Sequence, residues 1–170
     1  MLTDDFLQKL ITCPKRAIKA ERKQMLVINR SRRNNISLVS VDGRYTYTMF
    51  LRQSADFMED FSVGLIWTNA AKYSSIGKDM ILVRFQGPHD SGKPFGEDLH
   101  HDYHIHQLSA ADISERRFSK PSNKGISREF SSFEGAVLAF IKYCGIVELE
   151  AYIDLSSFTD PAQQLCLYDL

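Results

Sequence analysis

The segment NISLVSVDGRYTYTMFL, residues 35–51, decides the fold class because it predicts a β-hairpin. Asp42-Gly43 lies between two runs of β-branched and aromatic residues, and this dipeptide strongly favours a two-residue turn. Pairing Val41 with Arg44 then brings the apolar residues of both runs to one face of the hairpin. The residues that share this face are Ile36, Leu38, Tyr47 and Met49.

Three other segments predict strands. Residues 60–67, DFSVGLIW, and 80–85, MILVRF, are short apolar runs bounded by turn residues. Residues 147–155, VELEAYIDL, alternate apolar and polar side chains, which is typical of a half-buried strand. Asp160-Pro161 then predicts the start of a short helix. Together with the hairpin, these segments indicate a mainly antiparallel sheet of five or six strands.

Helices are predicted on both sides of these strands. Thr3 caps LTDDFLQKLI, whose first-turn aspartates favour the positive end of a helix. Residues 15–24 predict a basic helix after the interruption at Cys13-Pro14. Ser131 and Glu134 form a capping box at the start of SSFEGAVLAFIKYCG, whose apolar stripe should lie on the sheet. The fold class is therefore α+β, with the N- and C-terminal helices packed on one face of the sheet.

The chain of 170 residues is long enough to form one domain with a substantial core. We expect a single α+β domain over residues 1–146, which includes a histidine-rich loop at 87–107. Residues 147–170 are expected to form an acidic strand-and-helix extension. The formal net charge of zero argues against a protein whose whole surface binds polyanions.

Charge is nevertheless unevenly distributed along the chain. Eight cations within residues 15–33 are candidate nucleic-acid ligands: Lys15, Arg16, Lys19, Arg22, Lys23, Arg30, Arg32 and Arg33. The alternative for this segment is a solvated basic helix without a ligand. Residues 145–170 contain five acids and neither Lys nor Arg, so the extension is a candidate surface for a protein partner.

The sequence predicts a cytoplasmic protein that does not enter a membrane. Asp4 and Asp5 stand where a secretory signal would carry positive charge, and no apolar run approaches the roughly 20 residues of a membrane span. Cys13, Cys144 and Cys166 show no C-x-x-C spacing, so we expect reduced thiols.

All five histidines lie in GPHDSGKPFGEDLHHDYHIHQ, residues 87–107. The last seven residues, HDYHIHQ, predict a strand, in which alternate side chains share a face. Asp102, His104 and His106 would then project from one side. His89 follows the predicted strand MILVRF and would add a third imidazole if the two strands are neighbours.

This pattern leaves three roles open. His89, Asp102, His104 and His106 form a ligand set for Zn or another divalent transition metal. Without a metal, the same histidines would act as acid and base across a phosphodiester, with Arg84 placed to stabilise the phosphate charge. The third role is a polar sheet face without chemistry. His100 and His101 precede the strand and are weaker candidates.

The motif ILVRFQGPHDSGKP…HDYHIHQ resembles the centre of a family of uncharacterised bacterial and prophage proteins, which combine a Gly-Pro-His element with an H-x-H strand. The resemblance covers residues 2–147 and places His89, His104 and His106 at the histidine positions of the family. It implies no established activity. A looser resemblance to TumE-type toxins of toxin–antitoxin pairs implies a defence-related setting and a nucleic-acid target.

The predicted function is therefore that of a prophage, defence or toxin–antitoxin-associated protein that acts on RNA or DNA through its histidines. The alternative is a non-enzymatic binding module, such as an antitoxin, inhibitor or immunity protein. That alternative assigns partner recognition to the acidic residues of 147–170.

Overall fold

The computed structural model describes residues 2–90, 94, 99–118 and 121–158. The helices are α1 (Asp4–Thr12), α2 (Ala110–Ser114) and α3 (Phe133–Tyr143). The strands are β1 (Lys15–Ala20), β2 (Leu26–Ile28), β3 (Ser31–Ser40), β4 (Thr46–Ser54), β5 (Phe61–Trp67), β6 (Met80–Gln86), β7 (His104–Gln107), β8 (Asn123–Ile126) and β9 (Ile146–Val147). None of the helices in this described part of the chain is long and apolar enough to traverse a bilayer.

The strands form one open sheet in the order β8-β7-β6-β5-β4-β3-β1-β9, with β2 also paired to β3. Every pair is antiparallel except β1 with β9, which is parallel. The α+β class and the mainly antiparallel sheet are thus confirmed. The prediction of five or six strands was too low, because the described residues contain nine. The helix arrangement also differs, since α2 is a third helix and α3 leads back into the sheet through β9.

The β3–β4 hairpin has the predicted register. Leu38 faces Tyr47 and Ile36 faces Met49, and all four side chains are fully buried. The predicted two-residue turn with a Val41–Arg44 pair is not formed: the Gly43 amide donates to the Ser40 carbonyl at 2.8 Å, and the Val41 amide donates to that of Pro14 at 3.0 Å. Gly43 adopts a positive φ of +73° in this wider turn. The alternating pattern of the sequence therefore determined which face of this hairpin meets the core.

A single core joins the helices to the sheet. Its helical members are Leu7, Leu10 and Ile11 from α1 and Phe133, Ala136, Val137 and Phe140 from α3. The predicted capping box at Ser131 was wrong by one residue. Ser132 is the N-cap, and its hydroxyl accepts a hydrogen bond of 3.0 Å from the Gly135 amide.

Residues 15–24 do not form the predicted basic helix. Residues Lys15–Ala20 are strand β1, in which Lys15 and Ala17 are buried while Arg16 and Ile18 are exposed. Pairing with β3 on one side and β9 on the other satisfies the main chain of this segment. Tertiary pairing outweighs the modest helix propensity of a Lys- and Arg-rich run.

The acidic segment is not the predicted strand either. Only Ile146–Val147 pairs with the sheet, and two 3-10 turns follow at Leu149–Ala151 and Leu155–Phe158. Glu148 adopts a left-handed φ of +58°, which ends the extended run. Leu149 and Ile153 still reach the core, but through turns, whereas Val147 and Ala151 are exposed. The predicted helix at Asp160-Pro161 lies outside the described residues.

The side of the sheet opposite the core is called the outer face here. Residues that face each other across antiparallel strands share one side, and two of the resulting rows on this face extend to β7. The first row is Arg33, Arg52, Ser62, Gln86 and His104. The second row is Asn35, Phe50, Gly64, Arg84, His106 and Lys124.

Candidate metal centre

His89, His100, His104 and His106 gather where β6 and β7 meet at the outer face. His89 follows the end of β6, and its amide donates a hydrogen bond of 2.8 Å to the His100 carbonyl. This bond ties together the two ends of the connection between the strands. His100 lies in a 3-10 turn, Leu99–His101, while His104 and His106 project from β7.

Three of these rings form a nearly equilateral group. The ring centroids are 5.0 Å apart for His89 and His100, 5.1 Å for His89 and His104, and 4.9 Å for His100 and His104. One nitrogen from each ring lies within 4.8 Å of the others. Ligand nitrogens around a tetrahedral ion lie roughly 3–4 Å apart. Ring movements of about 1 Å would therefore close the group on a metal ion.

Main-chain carbonyls set the tautomer of two of these rings. Nδ1 of His104 lies 2.8 Å from the Asp102 carbonyl oxygen, and Nδ1 of His89 lies 3.0 Å from that of Gly87. Because a carbonyl oxygen only accepts, Nδ1 of each ring carries the proton and Nε2 keeps its lone pair. Metal-bound histidines commonly show this arrangement, in which a carbonyl fixes the ring that coordinates with its other nitrogen.

The lone pair of His104 is buried without a protein partner. His104 is fully buried, and its Nε2 makes no hydrogen bond within the described part of the chain. Both ring nitrogens of His106 are also buried and without a hydrogen bond to the described residues. Buried polar atoms are normally paired, so an imidazole nitrogen left in this state needs an explanation. A metal ion would satisfy the acceptor of His104.

Burial keeps these imidazoles neutral. The pKa of His104 falls to about 4, mainly through desolvation. The hydrogen bond to the Asp102 carbonyl opposes this shift, and the neighbouring His89, His100 and Arg84 add to it. The pKa of His106 falls to about 3, through desolvation first and then through the charge of Arg84. The neutral imidazole is the form that binds metals.

These shifts predict that the metal-free protein loses stability in acid. The unfolded imidazoles take up protons near pH 6.5, but folded His104 and His106 resist protonation until about pH 4 and 3. Between these values the unfolded state binds more protons, so stability falls as the pH falls. We expect a loss of roughly 2 kcal/mol for each histidine between pH 7 and 5. Urea denaturation at pH 7 and at pH 5, in the presence of a chelator, measures this loss of stability.

The charged and titratable groups that face these rings are His89, His100, Arg84 and Lys124. Carboxylates contribute little to the pH dependence of folding stability above pH 5, because their pKa values lie near 4. The substitution His106→Asn should halve the loss of stability over this interval. A loss that is unchanged in His106→Asn would contradict the assignment.

Two members of the predicted ligand set lie outside the three-histidine group. Asp102 precedes β7, its side chain is exposed, and it is not among the three residues whose ligand atoms come together. His106 does share that face, but it packs against the group, with its centroid 5.0 Å from His104 and 5.5 Å from His100. His100 takes the third position, because the 3-10 turn folds it back over the strand.

Arg84 lies beside this group on the outer face. It faces His106 across the β6–β7 pair, and it is half-buried. Desolvation lowers the pKa of its guanidinium, but an arginine remains charged at neutral pH. The predicted proximity of Arg84 to the histidines is therefore present in the structure.

Lys15, by contrast, is not part of a nucleic-acid surface. Its side chain is fully buried, and Nζ donates hydrogen bonds to the carbonyl oxygens of Ile11 and Cys13 at 2.7 Å and of Cys144 at 3.1 Å. The prediction that Lys15 contacts phosphates fails because this ammonium does not reach the surface.

The other predicted cations are spread over several surfaces. Arg22 pairs with Glu21 at 3.5 Å, and Arg30 pairs with Asp56 at 2.7 Å. Arg33 alone of the eight stands in the outer-face rows. Of the remaining predicted cations, Arg16 and Lys19 lie on β1 and Lys23 lies in the segment after it. Arg32 lies on β3, at a position that alternates with Arg33 and so belongs to the other side of the sheet.

Sequence reasoning missed Arg52 and Phe50 on the outer face. Both residues alternate with the buried positions of β4, so the hairpin register already placed them on the side opposite the core. Extending that register across β5 and β6 would have placed Arg52 in the row of His104 and Phe50 in the row of His106. This step requires the order of the strands in the sheet, which the sequence does not show.

No protein-family model, no curated protein and no solved structure matches this chain. The resemblance to prophage proteins and to TumE-type toxins therefore stays a prediction. Function has to be inferred from the geometry of the histidines and of the outer face.

Proposed function

We propose that the protein binds a divalent transition metal, such as Zn²⁺, through His89, His100 and His104 and hydrolyses phosphodiester bonds of nucleic acid there. The observation that carries this proposal is the group of three imidazoles, of which two have their Nε2 lone pairs set by main-chain carbonyls. Three imidazoles leave a fourth position of a tetrahedral ion open, which is the pattern of catalytic zinc sites.

A metal in this position supplies Lewis acidity, which activates water and polarises a phosphoryl oxygen. Hydrolysis adds the water oxygen to phosphorus, breaks the bond to the leaving oxygen and returns one proton to that oxygen. The charge that accumulates on the phosphoryl oxygens is negative, so a guanidinium nearby favours the reaction. Arg84, one strand away from His106, is the residue to which we assign this role.

The same environment disfavours acid–base catalysis without a metal. That mechanism requires one imidazole to carry a proton near neutral pH and its partner to be free of one. Burial holds the pKa of His104 near 4 and that of His106 near 3, so neither ring is protonated at pH 7. The burial of these rings therefore argues against His104 and His106 as the acid of a metal-free mechanism.

The decisive experiment incubates the protein, loaded with one equivalent of Zn²⁺, Co²⁺ or Mn²⁺, with end-labelled single-stranded RNA and DNA. We expect cleavage on denaturing gels, its loss on chelation and its return when the metal is restored. His104→Asn should slow cleavage at least about 100-fold. His101→Asn is the matched control, because His101 is not one of the three ligands. Intact nucleic acid with every metal would overturn the proposed activity.

The toxin or defence setting forms part of this proposal. A nuclease of this kind should arrest growth when it is induced in a bacterial host, and His104→Asn should relieve the arrest. A metal that only stabilises the fold is the competing interpretation. It predicts that chelation lowers the melting temperature while wild-type protein has no effect on growth or on nucleic acid.

A further inference from the structure

The outer face is far more basic than the chain as a whole. Its two rows contain four cations and neither Asp nor Glu, although the full sequence has 21 basic and 21 acidic residues. One acid, Glu21, lies beside the second row, where its carboxylate accepts a hydrogen bond of 2.9 Å from Asn35. The cations are Arg33, Arg52, Arg84 and Lys124. The rows extend from β3 to β8, which is a width of about 24 Å at the usual strand spacing. A positive surface of this extent suits a polyanion better than a small anion.

Two arginines at one end of the rows face each other directly. Arg33 and Arg52 are cross-strand partners, and like charges in this position repel. Arg52 donates hydrogen bonds to the carbonyl oxygens of Asn34 and Leu51, at 3.1 and 2.8 Å, and to the Asn35 side chain at 3.0 Å. These bonds fix its guanidinium in place. A phosphate between the two side chains would turn the repulsion into a shared ion pair.

Phe50 provides a flat apolar surface between the arginines and the histidines. The ring is half-buried and lies over Gly64, where a Cβ atom would overlap Phe50 Cζ and Cε1. The guanidinium carbon of Arg52 lies 5.5 Å from the centre of this ring. Aromatic side chains beside cations on an exposed sheet are the usual platforms for unpaired bases.

A groove of about 500 Å³ is lined by both Arg52 and His89. Ser62 and Gln86, which follow Arg52 in the first row, line it as well. Two acids also line the groove, and both are exposed: Asp60 and Asp90. The groove therefore runs between Arg52, one residue of the arginine pair, and His89, one of the three histidines.

We infer that the substrate is a single-stranded nucleic acid that lies across the outer face, with one base stacked on Phe50 and phosphates at Arg33 and Arg52. The strand then follows the groove towards His89. Binding on this face does not depend on the metal, but the role of the bound strand as a substrate rests on the function proposed above.

A single strand fits this face better than a duplex does. A base can stack on Phe50 only if it is unpaired, because the bases of a duplex are stacked on each other inside the helix. Each arginine that contacts a phosphate adds a salt-dependent contribution to binding. Stacking and phosphate contacts together predict binding that depends strongly on salt concentration and little on base sequence.

The test measures binding of a fluorescein-labelled 12-nucleotide oligo(U) by anisotropy, with the full-length protein in EDTA so that no cleavage occurs. Phe50→Leu keeps an apolar side chain over Gly64 but removes the aromatic face, and it should weaken binding about tenfold. Phe50→Tyr should restore wild-type affinity. Arg33→Ala should weaken binding several-fold and lower the slope of log K against log salt by about 0.7.

Matched controls lie elsewhere on the surface. Phe57→Leu replaces an aromatic side chain that is 74% exposed, and Arg44→Ala removes an arginine next to the hairpin turn. Both should bind oligo(U) like wild type. Duplex RNA of the same length should bind at least tenfold more weakly than oligo(U), and oligo(dT) should bind comparably to it.

The outcomes separate this inference from the proposed activity. Equal binding by wild type, Phe50→Leu and Arg33→Ala overturns the inference, even if the metal-loaded protein cleaves RNA. Tighter binding to duplex than to oligo(U) overturns it as well. Weaker binding by these two variants supports the outer face as the nucleic-acid surface, even if no metal yields cleavage.

Discussion

Replacement of His104 by glutamine is expected to abolish stoichiometric binding of Co²⁺, a spectroscopic substitute for Zn²⁺. Wild type should bind about one equivalent and show the visible absorption of a four-coordinate ion. Glutamine keeps much of the volume of the buried side chain but lacks the imidazole lone pair that His104 contributes to the three-histidine group. We expect the dissociation constant to rise at least about 100-fold.

The same experiment includes its own structural controls. His101→Gln should bind Co²⁺ like wild type, since His101 is not one of the three ligands. Binding at 100 times the dissociation constant adds about 2.7 kcal/mol to the stability of the folded state. The melting temperature of wild type should therefore rise by roughly 5–10 °C with metal. An equal rise in His104→Gln would show that the ion binds elsewhere.

The substitution Lys15→Met is expected to cost about 3 kcal/mol of folding stability. The Lys15 ammonium lies where the C-terminal ends of α1 and α3 converge, and it donates to the carbonyls of Ile11, Cys13 and Cys144. Carbonyls at helix ends have no partner within the helix, and each buried one without a donor costs about 1–3 kcal/mol. Removing the buried charge recovers part of that cost.

Urea denaturation measures this difference, and the melting temperature should fall by roughly 10 °C. Lys19→Met is the matched control, because Lys19 is an exposed residue of the same strand and should change stability by less than about 0.5 kcal/mol. The ammonium also lies 4.8 Å from the centre of the Tyr47 ring, which adds a favourable contact. Equal stability of Lys15→Met and wild type would mean that the carbonyls find other donors.

The hairpin was predictable because local signals and tertiary packing agree there. Asp42-Gly43 indicates that the chain turns here, although the turn is wider than two residues, and the alternation of apolar residues sets the face. The strands β5 and β6 were predictable for a similar reason, since each is a short apolar run between turns. Patterns of period two act over a few neighbouring residues and do not depend on distant parts of the chain.

Two segments were misjudged because their partners are far away in sequence. Strand β1 forms because β3 and β9 pair with it, and no local pattern in residues 15–20 indicates those partners. The alternation in 147–155 is strand-like, yet Glu148 turns the chain and the apolar residues enter the core through 3-10 turns. The same spacing of apolar residues can bring them into the core from a strand or from a series of 3-10 turns.

The histidine cluster was only partly predictable. His104 and His106 share a face because they are two residues apart on a strand, and this follows from the sequence. The selection of His100 over Asp102 depends on the 3-10 turn and on the hydrogen bond from His89 to His100. That bond joins residues eleven positions apart, and no local pattern predicts it.

Local patterns along the chain were enough to predict the class of the fold, the register of the hairpin and the strand face from which two imidazoles project. Long-range packing set which third imidazole joins His89 and His104, buried Lys15, and aligned Phe50 and Arg52 with the histidines. The two kinds of interaction act over different ranges. Alternation and turn chemistry act between neighbours along the chain, whereas strand order and burial arise from pairing between residues that the sequence keeps far apart.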